Sequence, residues 1–440
     1  MNQQVIKNVA ALATTDLRLD ALSLAEAGYA AITTESAFIQ RLKIENDELH
    51  IDTRTYPING RRIFFVGIGK CAIAAASAVE TILGDQLTAG IAFDVSLTEG
   101  ISLQKTEIYI GTHPLPSETN EHTTERIIEM LSGLQETDLV LMLISGGGSA
   151  LLCHPSKPMT HSDESNLWNE LTVRGASIQE INTIRKHISD ARGGGLAKAA
   201  YPAEMVSLII SDVPGNILEQ IASGPTVQDT STVSDAQSIL TKYALADMRT
   251  SCIETPKEQK YFDRVTNILF LTNRNALTAL QAEAIQRGYK ATIIDDSIKG
   301  EAREVGLSIV SSLHTAPAKT VLLYAGETTV TFSEHQNKNE PAPPNQPAGG
   351  RNQEMALAVL QDLRNDELLL PFASDGRDNT DHAGAIADTI TLAHAHEKNL
   401  SVPEHLASHR SYEFFRVTGD ALQTGYTESN VSDIIIAIKN

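Results

Sequence analysis

Short apolar runs alternate with amphipathic stretches along most of the chain. The run at 61–68 (RRIFFVGI) is apolar and β-branched beyond its two arginines and predicts a buried strand. The Ala-rich stretch 72–83 has helical spacing. Further strands are predicted at 91–95, 105–111, 139–144 and 205–210, separated by helices such as 122–134 and 177–192. Strands alternating with helices indicate parallel α/β architecture. The first sixty residues read as mostly helical and end in a hairpin element at 44–51. Around 246–258 the pattern weakens and polar residues dominate. Beyond it a second series begins, with strands at 267–271, 290–294, 320–325, 368–373 and 433–438 and helices at 275–287 and 301–313. The expected fold is therefore α/β in two domains, each a mostly parallel sheet flanked by helices, the larger N-terminal one Rossmann-like. The boundaries fall at 1–245, a linker at 246–264, and 265–440, with the C-terminal segment free to pack back on the first domain. The Pro/Asn-rich segment 335–346 (HQNKNEPAPPNQ) reads as a loop over a site.

Composition narrows the partners. The 440 residues include 42% hydrophobic ones, enough for two or three real cores, and carry a formal charge of −20. That charge argues against a nucleic-acid or anionic-membrane partner but not against a phosphate substrate, since local charge differs from the total. No apolar run reaches the roughly 18 residues of a spanning helix. Residues 1–20 are mixed and polar, which predicts no signal peptide and a cytoplasmic protein. Cys71, Cys153 and Cys252 are far apart and fit neither a disulfide framework nor a zinc spacing; they read as ordinary thiols in a reducing compartment. A homodimer is left open.

The candidate chemistry gathers at predicted strand ends, where ligands bind in open α/β sheets. Ser145, Gly146, Gly147, Gly148 and Ser149 follow a buried strand, and Gly349, Gly350 and Arg351 open a helix over 352–364. Bare backbone N–H groups at a helix start make an anion site, so two such turns suggest phosphate groups held between two lobes. The turn Gly67-Ile68-Gly69-Lys70-Cys71-Ala72 fits the G-x-G-x-x-A spacing of a dinucleotide fingerprint, and Asp94 ends the next strand where a ribose-binding acid belongs. Yet Lys70 inside that turn suits phosphate or carboxylate oxygens. The stretch 184–196 (IRKHISDARGGGL) is a cationic helix end that stops at glycines. Capping explains part of that pattern; Asp190 there is a candidate base for a substrate hydroxyl, and His187 reads as structural. After a further strand, 374–381 (SDGRDNTD) holds three acids. They do not match a calcium loop and suit magnesium held by one or two carboxylates plus phosphate, with Asp375 joined by Asp212 or Glu327; a turn-forming role is the competing reading for each acid.

Together these segments resemble the class II glycerate kinases, the family with a MOFRL-type C-terminal domain. The resemblance rests on GIGK (67–70), GTHPLPSE (111–118), LISGGGSALL (143–152), INTIRKHISDARGGGLA (181–197), SDVPGN and IASGPT within 211–226, GEAREV (300–305), AGETTVTF (325–332), AGGRNQEMAL (348–357) and SDGRDNTDHAGAIAD (374–388), in order over most of the chain. It implies ATP- and Mg²⁺-dependent phosphorylation of D-glycerate at its 2-hydroxyl, giving 2-phosphoglycerate in a cleft between two α/β domains. Carried onto this chain, it makes Lys70 the cation on the transferring phosphoryl group and Arg351 its partner from the other lobe. Residues 145–149 become a phosphate or substrate cradle, Arg185 a clamp for the glycerate carboxylate, Asp190 the group nearest the attacking hydroxyl, and Asp375, with Asp212 or Glu327, the magnesium ligands.

The chain departs from the family pattern twice. Asn379 stands where D-G-x-D-G-P-T-D has glycine, and Tyr426 and Glu428 stand within T-G-P-T-G-T-N-V-N-D. Substrate preference is therefore less fixed than reaction class, and a related hydroxy acid is an alternative acceptor. Two other readings compete: an NAD(P)H-dependent hydroxypyruvate reductase, supported by the Gly67 turn and Asp94, and non-catalytic binding.

Overall fold

The computed structural model describes residues 4–97, 100–213, 215–246, 248, 251–331 and 349–440. The loop read at 335–346 lies outside the described residues. The chain forms two compact units, Thr34–Leu271 and Met1–Thr33 with Thr272–Asn440.

The first unit begins with an antiparallel meander, β1 (Leu42–Glu45), β2 (Glu48–Ile51) and β3 (Arg54–Pro57), one strand more than the hairpin read from the sequence. Asn46 and Asp47 make its first turn with φ of 53° and 61°, the left-handed pair a two-residue hairpin needs. Six parallel strands follow: β4 (Ile63–Ile68), β5 (Leu87–Asp94), β6 (Thr106–Ile110), β7 (Leu139–Ile144), β8 (Glu204–Ile210) and β9 (Val265–Leu271). Their order is β6-β5-β4-β7-β8-β9, all in parallel register. This is the Rossmann order, and it reverses between β4 and β7, where a ligand crevice forms beyond the strand ends. Every residue of β4 and β7 is buried, as the unbroken apolar runs predict for strands covered on both faces.

The helix predicted over 177–192 stops at His187. Its start is fixed by a capping box in which Ser177 and Glu180 satisfy each other's N–H groups. Its end comes early because the chain turns to pair its backbone with residues 154–156: Ser156 N–H donates to Ile188 O (2.8 Å) and Asp190 N–H to His154 O (3.2 Å).

In the second unit the strands are β10 (Lys290–Ile298), β11 (Thr320–Gly326), β12 (Glu367–Ala373), β13 (Gly384–Ala385), β14 (Ala421–Leu422) and β15 (Asp433–Lys439), in the order β10-β11-β15-β12-β13-β14. Only β10 and β11 pair in parallel; β15 runs antiparallel to both β11 and β12. The expected mostly parallel sheet is thus a mixed one here. An apolar run carries no sense of direction, and β15, buried at all seven residues, reads the same either way.

The division of the chain also differs from 1–245, 246–264 and 265–440. Residues 265–271, read as the start of the second domain, complete the first sheet as β9. Residues read as a linker hold to the first unit, with Ile253 N–H donating to His187 O (2.6 Å). The N-terminal helix Asp16–Ile32 belongs to the second unit, packing on the helix Asn273–Gln286, where Gly28 makes room for Leu280. Arg18, 1% exposed, fastens it to Asp388 (2.7 Å) and Asp420 (2.8 Å).

Candidate active site

At the β4/β7 crevice two turns interlock. Gly69 N–H donates to Phe93 O (3.0 Å), Lys70 N–H to Gly146 O (3.0 Å), and Ser145 N–H to Ile68 O (2.9 Å). Gly69 has φ of +117°, and a Cβ there would lie 2.2 Å from Ser145 Oγ, so only glycine fits. Gly147, also left-handed, opens a single helical turn, Gly148–Leu151. Its Cβ position is 3.5 Å from Lys70 Cγ and 3.6 Å from His113 Cδ2, which places both side chains over the Gly-rich turn. These contacts weaken the dinucleotide reading. The Gly69 and Lys70 N–H groups serve backbone carbonyls, and Asp94, 1% exposed, accepts from Ile73 N–H (3.2 Å) and Val95 N–H (2.7 Å) instead of facing a ribose. Burial raises its pKa to about 6.

Behind the turn, Ser149 Oγ meets Ser223 Oγ (3.3 Å), which donates to Asn182 Oδ1 (3.2 Å). Ala222, Ser223 and Gly224 are all left-handed (φ 50°, 59° and 61°), a strained loop held by Gly193 N–H to Ser223 O (2.9 Å) and Gly194 N–H to Gly224 O (2.8 Å). The three basic residues ending the helix Ile178–His187 have different fates. Lys186 pairs with buried Asp229 (2.5 Å), and His187 bonds Ile253 O (2.9 Å) and Ser231 Oγ (3.1 Å), the structural role expected of it. Arg185 is 8% exposed, lies 5.8 Å over the Trp168 ring, and its Nε–H has no partner among the described residues. Burial, then the neighbouring Arg192, pulls its pKa down to about 10. Arg192 Nη2 donates to Ser149 O (2.8 Å) and to Glu164 Oε1 (2.7 Å), tying this cationic pocket to the Gly-rich turn. Asp190 is half-exposed, 3.6 Å from His154 Nδ1. Asp212 follows β8, half-buried.

The turn in the second unit is built differently. The helix Arg351–Val359 begins at Gly350, but its first N–H groups are not bare. Asp378 accepts from Asn352 N–H (3.1 Å) and Gln353 N–H (2.8 Å), so the chain's own carboxylate sits where an external anion was expected. Gly350 is required because a Cβ would lie 2.1 Å from Asp378 Oδ1, and Gly349 because one would lie 2.1 Å from Ser411 Oγ. Arg351 is clamped by Asp433 and by Glu327 (3.0 Å). Burial, then Asp433, raises the Asp378 pKa to about 7; Asp433 is itself raised by burial, with Asp375 adding repulsion. A pocket of about 260 Å³ lies beside Arg351, lined also by Thr328, Thr329, Val330, Glu354, Asn379 and His409. The family departures have a local explanation. Asn379 and Glu428, standing for glycines, are both left-handed (φ 57° and 56°), and Tyr426 packs 5.1 Å from the Arg377 guanidinium.

Lys70 thus meets the 145–149 turn, Arg185 lies near Arg192, which bonds that turn, and Arg351 meets Glu327. Glu164 was not singled out, Asp378 was read only as one of three acids suited to magnesium, and Arg192, Asn182, Ser223 and Asp433 lay within motif segments without a role of their own. Asp433 carried a signal, an acid heading the last apolar run, whereas Glu164 looks in sequence like any first-turn helix acid. Among the described residues no three His, Cys, Asp or Glu side chains are grouped to hold a metal. No helix among them is long and apolar enough to cross a membrane, and the three cysteines are free thiols, two buried and one half-buried.

A family pattern described as a domain of unknown function (DUF4147) matches residues 20–255, and the MOFRL family pattern matches 320–433. The chain is 35% identical to a glycerate 2-kinase of Pyrococcus horikoshii over 96% of its length and 97% of the relative's. It is 35% identical to an Agrobacterium vitis protein with a provisional hydroxypyruvate reductase name, over 85% of this chain and 86% of that one. The crystal structure of a glycerate kinase from Thermotoga maritima superposes with a TM-score of 0.81 at 30% identity, covering 96% of this chain and 99% of the other.

Proposed function

The chain belongs to the glycerate kinase family with a MOFRL domain, and from that premise we propose that it phosphorylates D-glycerate at the 2-hydroxyl with ATP, giving 2-phosphoglycerate and ADP. The observation that carries the reading is Arg185, a buried guanidinium whose Nε–H lacks a partner among the described residues, close to Arg192, which bonds the Gly-rich turn over which Lys70 lies. A small acid whose reacting hydroxyl sits on the carbon next to its carboxylate matches that arrangement.

In this proposal Arg185 binds the glycerate carboxylate, and the turn from Ser145 through Gly146, Gly147 and Gly148 to Ser149 positions the acid. The 2-hydroxyl oxygen attacks the γ-phosphorus, the bond to the β–γ bridging oxygen breaks, and ADP leaves. Asp190 takes the hydroxyl proton. Lys70 and Arg351 neutralise charge on the transferring group. With its helix start capped by Asp378, the Gly349-Gly350 turn serves to aim Arg351 rather than to cradle phosphate through bare amides. Asp375 with Asp212 or Glu327 supplies only oxygen donors, which fits magnesium completed by phosphate oxygens; of these, Glu327 is engaged by Arg351. When bound, the ion would offset phosphate charge. The same chemistry extends to a related 2-hydroxy acid.

The test is ADP release from ATP, Mg²⁺ and D-glycerate, with the product passed to enolase. Enolase-competent product supports the reading. NADH oxidation with hydroxypyruvate in the absence of ADP release would replace it with the reductase.

A further inference from the structure

The charge count behind the Gly-rich turn leads to a specificity rule. We propose that Arg185, Arg192 and Glu164 together accept one monoanionic carboxylate, and that Glu164 is a specificity-determining residue that disfavours dianionic acids there. The proposal deepens the kinase reading and rests on it.

Two guanidiniums share this interior with one carboxylate. Arg192 is fully buried, and its Nε and Nη1 have no hydrogen-bond partner among the described residues; Arg185 Nε is in the same condition. Three nitrogens, bearing four N–H donors, on two buried cations are thus unanswered, a strongly disfavoured arrangement unless an acceptor enters. Glu164, 2% exposed, is fully engaged: Oε1 accepts from Arg192 and Oε2 accepts the Cys153 S–H (3.4 Å). Of the other charged groups nearby, Lys186 pairs with Asp229, and Asp190 is half-exposed, 3.6 Å from His154 Nδ1. Lys186 and Asp229 cancel, and Asp190, half-exposed, is screened by solvent, so the buried interior around Arg185, Arg192 and Glu164 holds a single uncompensated positive charge. One carboxylate brings it to neutrality and has lone pairs for the waiting donors. A second negative charge on the same small acid would remain buried without a partner.

The experiment compares D-glycerate with tartronate, a 2-hydroxy acid of similar size with a second carboxylate, by calorimetry on the full chain without nucleotide and by kcat/KM where turnover occurs. Wild type is expected to bind D-glycerate at least tenfold more tightly. In Glu164→Gln, which leaves two uncompensated charges, that ratio should fall by about tenfold. An unchanged ratio with a lowered Tm would make Glu164 merely structural and overturn the proposal. Should Glu164→Gln not fold, Arg185→Met decides: D-glycerate binding should weaken by at least thirtyfold, with the native fold kept, and binding within twofold of wild type overturns it. Binding that obeys the rule without turnover sinks the kinase reading alone. Turnover without discrimination sinks the charge rule alone, and no binding of either acid overturns both.

Discussion

The two glycine-rich turns look alike in sequence and are opposites in charge. Behind the turn at 145–149, two buried arginines face a single carboxylate, and three of their nitrogens have no hydrogen-bond partner among the described residues. Around the turn at 349–351, the helix start is already capped by Asp378, and Arg351 is answered by both Asp433 and Glu327. The first pocket is short of negative charge and suits an anion. The second has answered its own cation, so its arginine is a fixed, pre-aimed group. Glycine serves different ends at the two: Gly349 and Gly350 let a polar side chain approach where a Cβ would collide, whereas Gly147 supplies a left-handed φ and Gly148 makes room for Ala222.

The largest effect should come from removing the cation over the first turn. Lys70→Ala is expected to lower kcat by about 10²–10³-fold while circular dichroism and Tm stay near wild type; near-normal kcat would remove Lys70 from the transfer step. Next comes a matched pair of substitutions. Arg351→Met leaves buried Asp433 unanswered beside other acids and should cost about 3 kcal/mol in urea unfolding, besides losing turnover. Arg185→Met removes a cation with no carboxylate partner and should leave stability within about 1 kcal/mol of wild type, or above it. Equal destabilisation by both would erase the contrast between the pockets.

A smaller effect is a pH slope. The Asp378 carboxyl is raised to about 7, above its unfolded value near 3.8, so the native state binds the extra proton between those limits. Its contribution to stability is therefore present at low pH and declines as pH rises through about 4 to 7. Asp378→Asn should flatten that part of a stability–pH curve, and an unchanged slope would show that Asp378 titrates normally. The smallest expected change is Glu428→Gly, which relieves a left-handed glutamate and should raise stability by roughly 1 kcal/mol, read by urea unfolding; a loss would mean that the Glu428 side chain matters more than its backbone.

Much of the fold was legible because burial on both faces writes parallel strands as unbroken apolar runs; β4 and β7, with the Gly-rich turns after them, show this. The chemistry at strand ends was legible for the same reason, since the topology forces ligand residues to follow those runs. Arg185 was singled out because charge beside glycine at a helix end exceeds what capping requires. Glu164 was not, and Asp378 was read only as one of three acids, because nothing local separates a buried counter-charge or a distant helix cap from an ordinary surface acid.

The sequence by itself determined the α/β character, the Rossmann-like first unit, the family, and the residue types gathered at the strand ends, because each of these depends on periodicity or local chemistry. Only the tertiary structure decided that β15 enters the second sheet antiparallel, that residues 4–33 join the second unit, and which charges are answered. Strand direction, segment partnership and ion pairing all depend on what lies far away along the chain, and neither an apolar run nor a lone charged residue records its distant neighbour.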